Sequence, residues 1–357
     1  MNKTESITTT LLEPEITTGA KKIRLAINGF GRIGRAALKV ALTKANIEIV
    51  AINDLSDIAT LVHLLKYDSV MGRFAGEIVE EESSFIIDGH KIRVLAIKEL
   101  ENLPWKDLKI DVVLECTGRY TQDGASEGHI KAGAKKVIIS APAKGGAVKT
   151  IILGVNDSTY KNEPLVSNGS CTTNCVSPVI RVIKESLGIK NLTATTIHAV
   201  TAEQNIVDSA PPALHKDLRR ARAAFSNIIP TTSGAGSAVV EVFPDLEGKI
   251  DIGAIRVPVI CGSLTDFTIT VEKDIVVADV NQLFKLAVSD PKYRGVLSAT
   301  SDQIVSSDIL GNPTSALIDL PLTKVISGNI VKVCAWYDNE WGYANRLAEL
   351  AQFLFLA

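Results

Sequence analysis

A chain of 357 residues exceeds what one ordinary hydrophobic core sustains, so two domains are expected. With 46% hydrophobic and 22% charged residues, it has the composition of a water-soluble globular protein. A formal net charge of −2 excludes the strong basic field that nucleic acid or an anionic membrane would call for, and neither is expected as a partner.

The five cysteines, an odd number without framework spacing, argue against a disulfide scaffold and for a reducing cytoplasm. No second pair of cysteines or histidines completes a zinc pattern with Cys171 and Cys175, so no metal is expected. Residues 1–20 are rich in Thr, Glu and Ser and lack the basic start and apolar stretch of a signal peptide; they read as a flexible extension. No apolar run is long enough to span a bilayer.

Order is expected from Lys22 onward. Ile23, Leu25 and Ile27 predict a short apolar strand, followed by a glycine turn, a helix over 35–44 and a second strand over 47–52. Further strands are predicted over 111–114 and 137–140, with a helical segment containing His129 between them. This alternation is that of a Rossmann-type doubly wound parallel sheet reaching to about residue 150.

Beyond Asn168 the pattern changes. Cys171, Val176, Val179, Val182 and Ile183 are spaced for the buried stripe of a helix over 171–187. Long strands rich in Val, Ile and Thr follow over 192–197, 252–259 and 264–272, predicting a second, α+β domain on a mixed or antiparallel sheet. Residues 199–226, with Pro211-Pro212 and then Lys216, Arg219, Arg220 and Arg222, predict a long basic loop, a length that is usually functional. An amphipathic helix is predicted over 340–356.

Gly29, Gly31 and Gly34 make the G-x-G-x-x-G spacing between strand and helix. The first allows a tight turn, the second lets backbone approach a pyrophosphate, and the third allows helix to pack on strand. The N–H groups and positive dipole end of the following helix suit that anion. Asp54 ends the second strand, 20 positions beyond Gly34, where a carboxylate accepts from the adenosine ribose hydroxyls. It would repel a 2′-phosphate, so NAD rather than NADP is the expected cofactor.

Cys171 stands at the start of its predicted helix, where the dipole lowers a thiol's pKa. A thiolate attacking an aldehyde gives a thiohemiacetal, and hydride loss to a nicotinamide leaves a thioester. That chemistry needs a base, and His198 closes an apolar strand where a rigid base would sit. The other four histidines, His63, His90, His129 and His215, lie among polar residues and are expected at the surface. Cys175 is expected to point inward, and Cys116, Cys261 and Cys334 lie in apolar runs that suit small buried side chains. Anion donors cluster at Ser170 and Thr172, at Arg219, Arg220 and Arg222 with Ser233 and Gly234 beyond them, and at Arg256. A guanidinium within an apolar strand predicts a specific anionic partner for Arg256.

Taken together, the segments 28–35 (NGFGRIGR), 170–175 (SCTTNC), 215–222 (HKDLRRAR) and 336–340 (WYDNE) resemble phosphorylating glyceraldehyde-3-phosphate dehydrogenases, over nearly the whole chain from Lys22. The resemblance implies oxidative phosphorylation of D-glyceraldehyde 3-phosphate to 1,3-bisphosphoglycerate, as in glycolysis, with inorganic phosphate as co-substrate. Erythrose-4-phosphate dehydrogenase, which hydrolyses the thioester, is the alternative. The resemblance makes Cys171 the nucleophile and His198 its base. It places Gly29, Gly31, Arg32, Ile33, Gly34, Asp54, Lys98 and Ser140 at the cofactor, with Asn339 holding the nicotinamide carboxamide. Thr201 and Arg256 fall at the substrate phosphate; Ser170, Thr172, Arg220, Ser233 and Gly234 surround the attacking phosphate and the substrate. It also implies a homotetramer and a division into 21–169, completed by a helix over 338–357, and a catalytic domain over 170–337. Gly169 stands where the family usually has alanine, Ser233 where it has threonine, and residues 209–214 look like a short insertion.

Overall fold

A computed structural model describes residues 22–211 and 217–357. The expected extension over 1–20 lies outside the described residues, as do Pro212, Ala213 and Leu214 of the expected insertion and His215 and Lys216 of the basic motif.

The first strand, Ile23–Asn28, is buried at all but one position, as a central parallel strand covered on both faces must be. It pairs in parallel with Ile47–Asn53 on one side and Val112–Glu115 on the other. The intervening helix, Arg32–Leu42, begins three residues earlier than its apolar periodicity suggests, because the glycine turn leads straight into it. The full sheet has nine strands. Parallel pairing runs from Lys149–Thr150 at one edge, through Leu165–Ser167 and Lys136–Ile139, to His90–Leu95. Ser84–Ile87 and Ile78–Glu81 then fold back antiparallel. The chain leaves the first strand towards one edge and returns at Val112–Glu115 on the other side. That reversal opens the crevice at the carboxyl ends of the strands where dinucleotides bind.

The second sheet has eight strands. The order is Ile229–Thr232, Ile250–Arg256, Ile189–His198, Ser263–Val271, Ile330–Tyr337, Ala316–Asp319 and Leu297–Thr300, with Lys324–Ile326 beside Ile330–Tyr337. Parallel and antiparallel pairs alternate irregularly, which makes it the mixed sheet expected. Helix Cys171–Leu187 has the predicted bounds and packs Val176, Val179, Ile180 and Ile183 into one core with Phe267, Ile269 and Phe284. The C-terminal helix, Trp341–Leu356, instead sends Leu347, Leu350 and Leu354 into the core of the first sheet. Cys171 touches both cores, so the thiol sits at their junction.

One histidine corrects the sequence reading. His129 is fully buried, not superficial. It takes a hydrogen bond from the Trp105 indole N–H on Nδ1 (2.9 Å), which leaves Nε2–H to donate to Glu115 (2.9 Å). Glu115 also receives the side chain of Asn28 and both the N–H and hydroxyl of Thr117. Asn53 donates to Asn28 and exchanges two bonds with Ile97. This buried polar network ties together the carboxyl ends of three strands beneath the crevice. His63 and His90 are exposed as expected.

Candidate active site

Backbone geometry constrains two of the three glycines directly. Gly29 has φ +90°, and a Cβ there would lie 2.7 Å from the Thr117 nitrogen, so only glycine fits. A Cβ on Gly34 would press into the Gly29 carbonyl oxygen. Gly31, the N-cap of the helix, has open space where its Cβ would be, and no side chain caps it. The unpaired N–H groups of that first turn therefore face a cradle that an anion can enter, and the donor set fits a dinucleotide pyrophosphate. We expect Gly31→Ala to keep wild-type thermal stability while weakening NAD binding roughly 5- to 100-fold, the cost of a methyl forced into a filled contact. Gly34→Ala should instead lower the melting temperature. Calorimetric titration and thermal melts of the two variants check the contrast.

Asp54 follows the second strand and accepts from the N–H groups of Phe30 (2.7 Å) and Ser56 (2.9 Å), one on each oxygen. Both oxygens keep a lone pair for a ribose hydroxyl. Ile33 is half-buried in the first helical turn, and Lys98 is exposed in the loop after His90–Leu95. Ser140 follows strand Lys136–Ile139, its N–H bonded to the Glu115 carbonyl. Arg32 does not offer its guanidinium to the crevice: it is ion-paired with Glu340 and with Asp68 (2.7 Å). What it can give a pyrophosphate is its backbone N–H.

Helix Cys171–Leu187 starts with a capping box. The Ser170 hydroxyl accepts from the Thr173 N–H (3.0 Å) while Thr173 reaches back to the Ser170 N–H (3.3 Å). Asn174 adds bonds to the Asn168 and Ser170 carbonyls. These fix Cys171 as the first residue of the helix, with Sγ 3.4 Å from His198 Nε2. Ser170 and Thr172 have hydroxyls already engaged, Thr172 with the Tyr337 hydroxyl at 3.0 Å.

His198 and Arg256 are direct partners in the parallel register of their strands, which is why two residues so far apart in sequence meet. Arg256 Nη1 lies 2.9 Å from the Ala199 carbonyl and 3.2 Å from Thr201 Oγ1, one hydrogen for each. His198 Nδ1 faces both the Ala199 carbonyl (2.7 Å) and Arg256 Nη1 (2.9 Å); with the two Nη1 hydrogens placed on the Ala199 carbonyl and Thr201, the Nδ1–H tautomer is the one that donates to that carbonyl. The lone pair of Nε2 is thereby left facing Sγ, the arrangement a base needs. Burial and then the Arg256 charge hold the imidazole's pKa down at about 3. Burial pushes the Cys171 thiol up, against the pull of Arg256 and of Thr172. The lowering expected from the helix terminus is thus opposed at this thiol by its burial.

Arg256 ends its strand with no carboxylate in ion-pair distance among the described residues, and its Nε is buried without a partner. With no internal ion pair among the described residues, the guanidinium is arranged for an anion from outside. Arg220 is buried, donating to Thr231 Oγ1 (3.0 Å) and to Glu203 (3.3 Å). Ser233 and Gly234 lead into helix Ala235–Val242, Gly234 as N-cap and Ser233 Oγ accepting from the Ala235 N–H. Asn339, buried, accepts on Oδ1 from the Gly262 N–H (3.1 Å) and the Ser263 hydroxyl (2.9 Å). Cys175 is buried near Thr265 and the Ala335 carbonyl, and burial drives its thiol far above the ordinary range. Cys261 is buried, while Cys116 and Cys334 are only partly so.

Sequence reasoning missed Thr117, Tyr337, Ser263 and Glu203 as parts of this surrounding. Thr117 carried a local signal, since it precedes a glycine just past a strand end at the crevice, and Tyr337 lies within the 336–340 segment.

A dinucleotide crevice and a thiol–imidazole pair at the domain junction are the equipment of an NAD-dependent dehydrogenase acting on an aldehyde. Residues 23–123 match the family described as Glyceraldehyde 3-phosphate dehydrogenase, NAD binding domain, and residues 170–339 the corresponding C-terminal domain. The chain is 49% identical over 335 residues to the glyceraldehyde-3-phosphate dehydrogenase of Streptomyces coelicolor, covering 93% of this chain and 98% of the relative. It is also 49% identical over 337 residues to that of Mycolicibacterium smegmatis (92% and 97%), and 45% identical over 333 residues to glyceraldehyde-3-phosphate dehydrogenase 1 of Bacillus cereus (93% and 98%). The chain belongs to the glyceraldehyde 3-phosphate dehydrogenase family and is an NAD-dependent oxidoreductase.

Proposed function

We propose that the chain oxidises D-glyceraldehyde 3-phosphate and couples the oxidation to inorganic phosphate, with Cys171 as nucleophile and His198 as base. The observation that carries this reading is the 3.4 Å contact between Sγ and Nε2 beside an arginine whose buried Nε lacks a partner. His198 Nε2 takes the thiol proton as sulfur bonds to the aldehyde carbon, and the imidazolium returns a proton to the resulting alkoxide, giving a thiohemiacetal. Bound NAD supplies the hydride acceptor. His198 removes the hydroxyl proton of the adduct, whose oxidised form is a thioester. A phosphate oxygen then attacks the thioester carbonyl, the C–S bond breaks, and sulfur recovers its proton. Arg256 and Thr201 anchor the substrate phosphate; Arg220, Ser233 and Gly234 lie towards the attacking one.

Ser170 and Thr172 contribute by setting the helix start, since their hydroxyls are committed. Gly29, Gly31, Ile33, Gly34, Asp54, Lys98 and Ser140 line the dinucleotide side, and Asn339 donates its amide NH₂ to the carboxamide. This reading divides the chain into 21–169 with 338–357, and 170–337. A homotetramer fits the exposed apolar side chains of the long loop, Ile206, Val207, Leu218, Phe225 and Ile228. Five free cysteines suit the cytoplasm.

The test is an initial-rate assay of NADH formation with and without inorganic phosphate, on glyceraldehyde 3-phosphate and erythrose 4-phosphate, with NAD and NADP side by side. Phosphate-dependent turnover of the triose phosphate with NAD, abolished in Cys171→Ala, is the expected outcome. Phosphate-independent oxidation that favours erythrose 4-phosphate would overturn it.

A further inference from the structure

Ser263 stands between the two strands that deliver the base and the carboxamide holder. It is the first residue of Ser263–Val271, which pairs antiparallel with Ile189–His198 on one side and with Ile330–Tyr337 on the other. Its side chain is fully buried, and both neighbours use its hydroxyl. The Ala199 N–H, which can only donate, points at Ser263 Oγ from 3.1 Å. Having accepted there, the hydroxyl has its own proton to place, and Asn339 Oδ1 lies 2.9 Å away. The Gly262 N–H reaches the same Oδ1 at 3.1 Å.

The amide of Asn339 is thus fixed the only way that satisfies both donors, oxygen towards the sheet. Its NH₂ is the side left to donate. The same hydroxyl holds the His198–Ala199 peptide by its N–H, one Cα away from the Ala199 carbonyl that faces His198 Nδ1. One side chain therefore constrains both the residue that orients the hydride acceptor and the base that handles the proton.

We propose that Ser263 is a positioning residue for the oxidation step, holding the Asn339 amide with its NH₂ towards the nicotinamide carboxamide and the peptide between His198 and Ala199. The proposal rests on the reading of Asn339 as the carboxamide holder. Ser263→Ala removes the donor to Oδ1 and leaves the Ala199 N–H unpaired, so the amide can rotate and the base loses part of its support.

The experiment compares wild type, Ser263→Ala, Ser263→Thr and Asn339→Ala for binding of NAD and of ADP-ribose, which lacks the nicotinamide. Ser263→Ala is expected to weaken NAD about 5- to 30-fold, the range of one buried hydrogen bond, while ADP-ribose binding stays within about twofold. Retained ADP-ribose binding also shows that the variant is folded. The kcat should fall with it, and Ser263→Thr, which keeps the hydroxyl, should recover most of both. Equal weakening of NAD and ADP-ribose in Ser263→Ala would mean a general structural role and overturn the proposal. Loss of NAD preference in Asn339→Ala but not in Ser263→Ala would overturn it while leaving the carboxamide reading in place. An Asn339→Ala variant with unchanged NAD preference would remove that reading, and the proposal with it.

Discussion

Replacing His198 with asparagine is expected to lower kcat/KM by about 10²- to 10⁴-fold, the usual contribution of a positioned general base, while NAD binding is retained. The pH profile carries a sharper signature. With its pKa held down at about 3, the imidazole of the free enzyme is already neutral across the working range. A wild-type profile of kcat/KM should therefore show no loss of activity near pH 6.5, where an ordinary histidine takes its proton. The acid-side loss should instead follow protonation of His198, well below that range, because the imidazole must be neutral to take the thiol proton. Alkylation of Cys171 by iodoacetamide, followed against pH in both proteins, checks the assignment. Its rate should climb with pH beyond the ordinary thiol value near about 8.5. A labelling rate that is flat from pH 5 to 9 would contradict a thiol pushed up by burial.

Arg256→Leu is expected to be the most damaging change outside the pair. Truncating one partner of a buried charge–anion contact costs about 2–5 kcal/mol, which is roughly 30-fold to several thousand-fold in kcat/KM. Two terms separate in the kinetics. Loss of the phosphate anchor raises KM for the triose phosphate. Loss of the guanidinium beside His198 lets the imidazole pKa rise, because the charge that opposed protonation is gone. The variant should therefore lose activity at a higher pH than wild type as the medium is made acidic. A short aldehyde without phosphate should be oxidised by the variant much as by wild type at neutral pH. If the unphosphorylated aldehyde lost as much as the phosphorylated one, Arg256 would be serving the base rather than the substrate.

Most of the frame was legible because local chemistry dictates it. The G-x-G-x-x-G turn, the strand ending before Asp54 and the helix starting at Cys171 are each specified by a few adjacent residues. Where the reading failed, the determinants were distant or short. His129 sits among Glu127, Gly128 and Lys131 and looks superficial; its burial is set by Trp105 and Glu115 from other elements. Helix Ile58–Lys66 buries only Leu61 and Leu65, too sparse a stripe to show periodicity, although Asp57 caps it through the Thr60 N–H. The hairpin joining Ser84–Ile87 to His90–Leu95 did carry a signal, the Asp88-Gly89 pair with both φ values positive. Arg256 was recognised as anomalous for an apolar strand, but its proximity to His198 depends on strand register, which no local pattern encodes. The resemblance to a family implies a role for Asn339; its locked amide becomes visible only with Gly262 and Ser263 in place.

The register of His198 opposite Arg256 has a consequence for how activity is acquired. Successive side chains in a strand face opposite sides, so a slip of one residue between these strands would carry either the imidazole or the guanidinium to the far face. No partly registered intermediate can hold His198 and Arg256 side by side on one face. Enzymatic activity is thus a reporter of register in the second sheet. During refolding it should return with the slowest phase of strand registration, after the bulk of the secondary structure has formed.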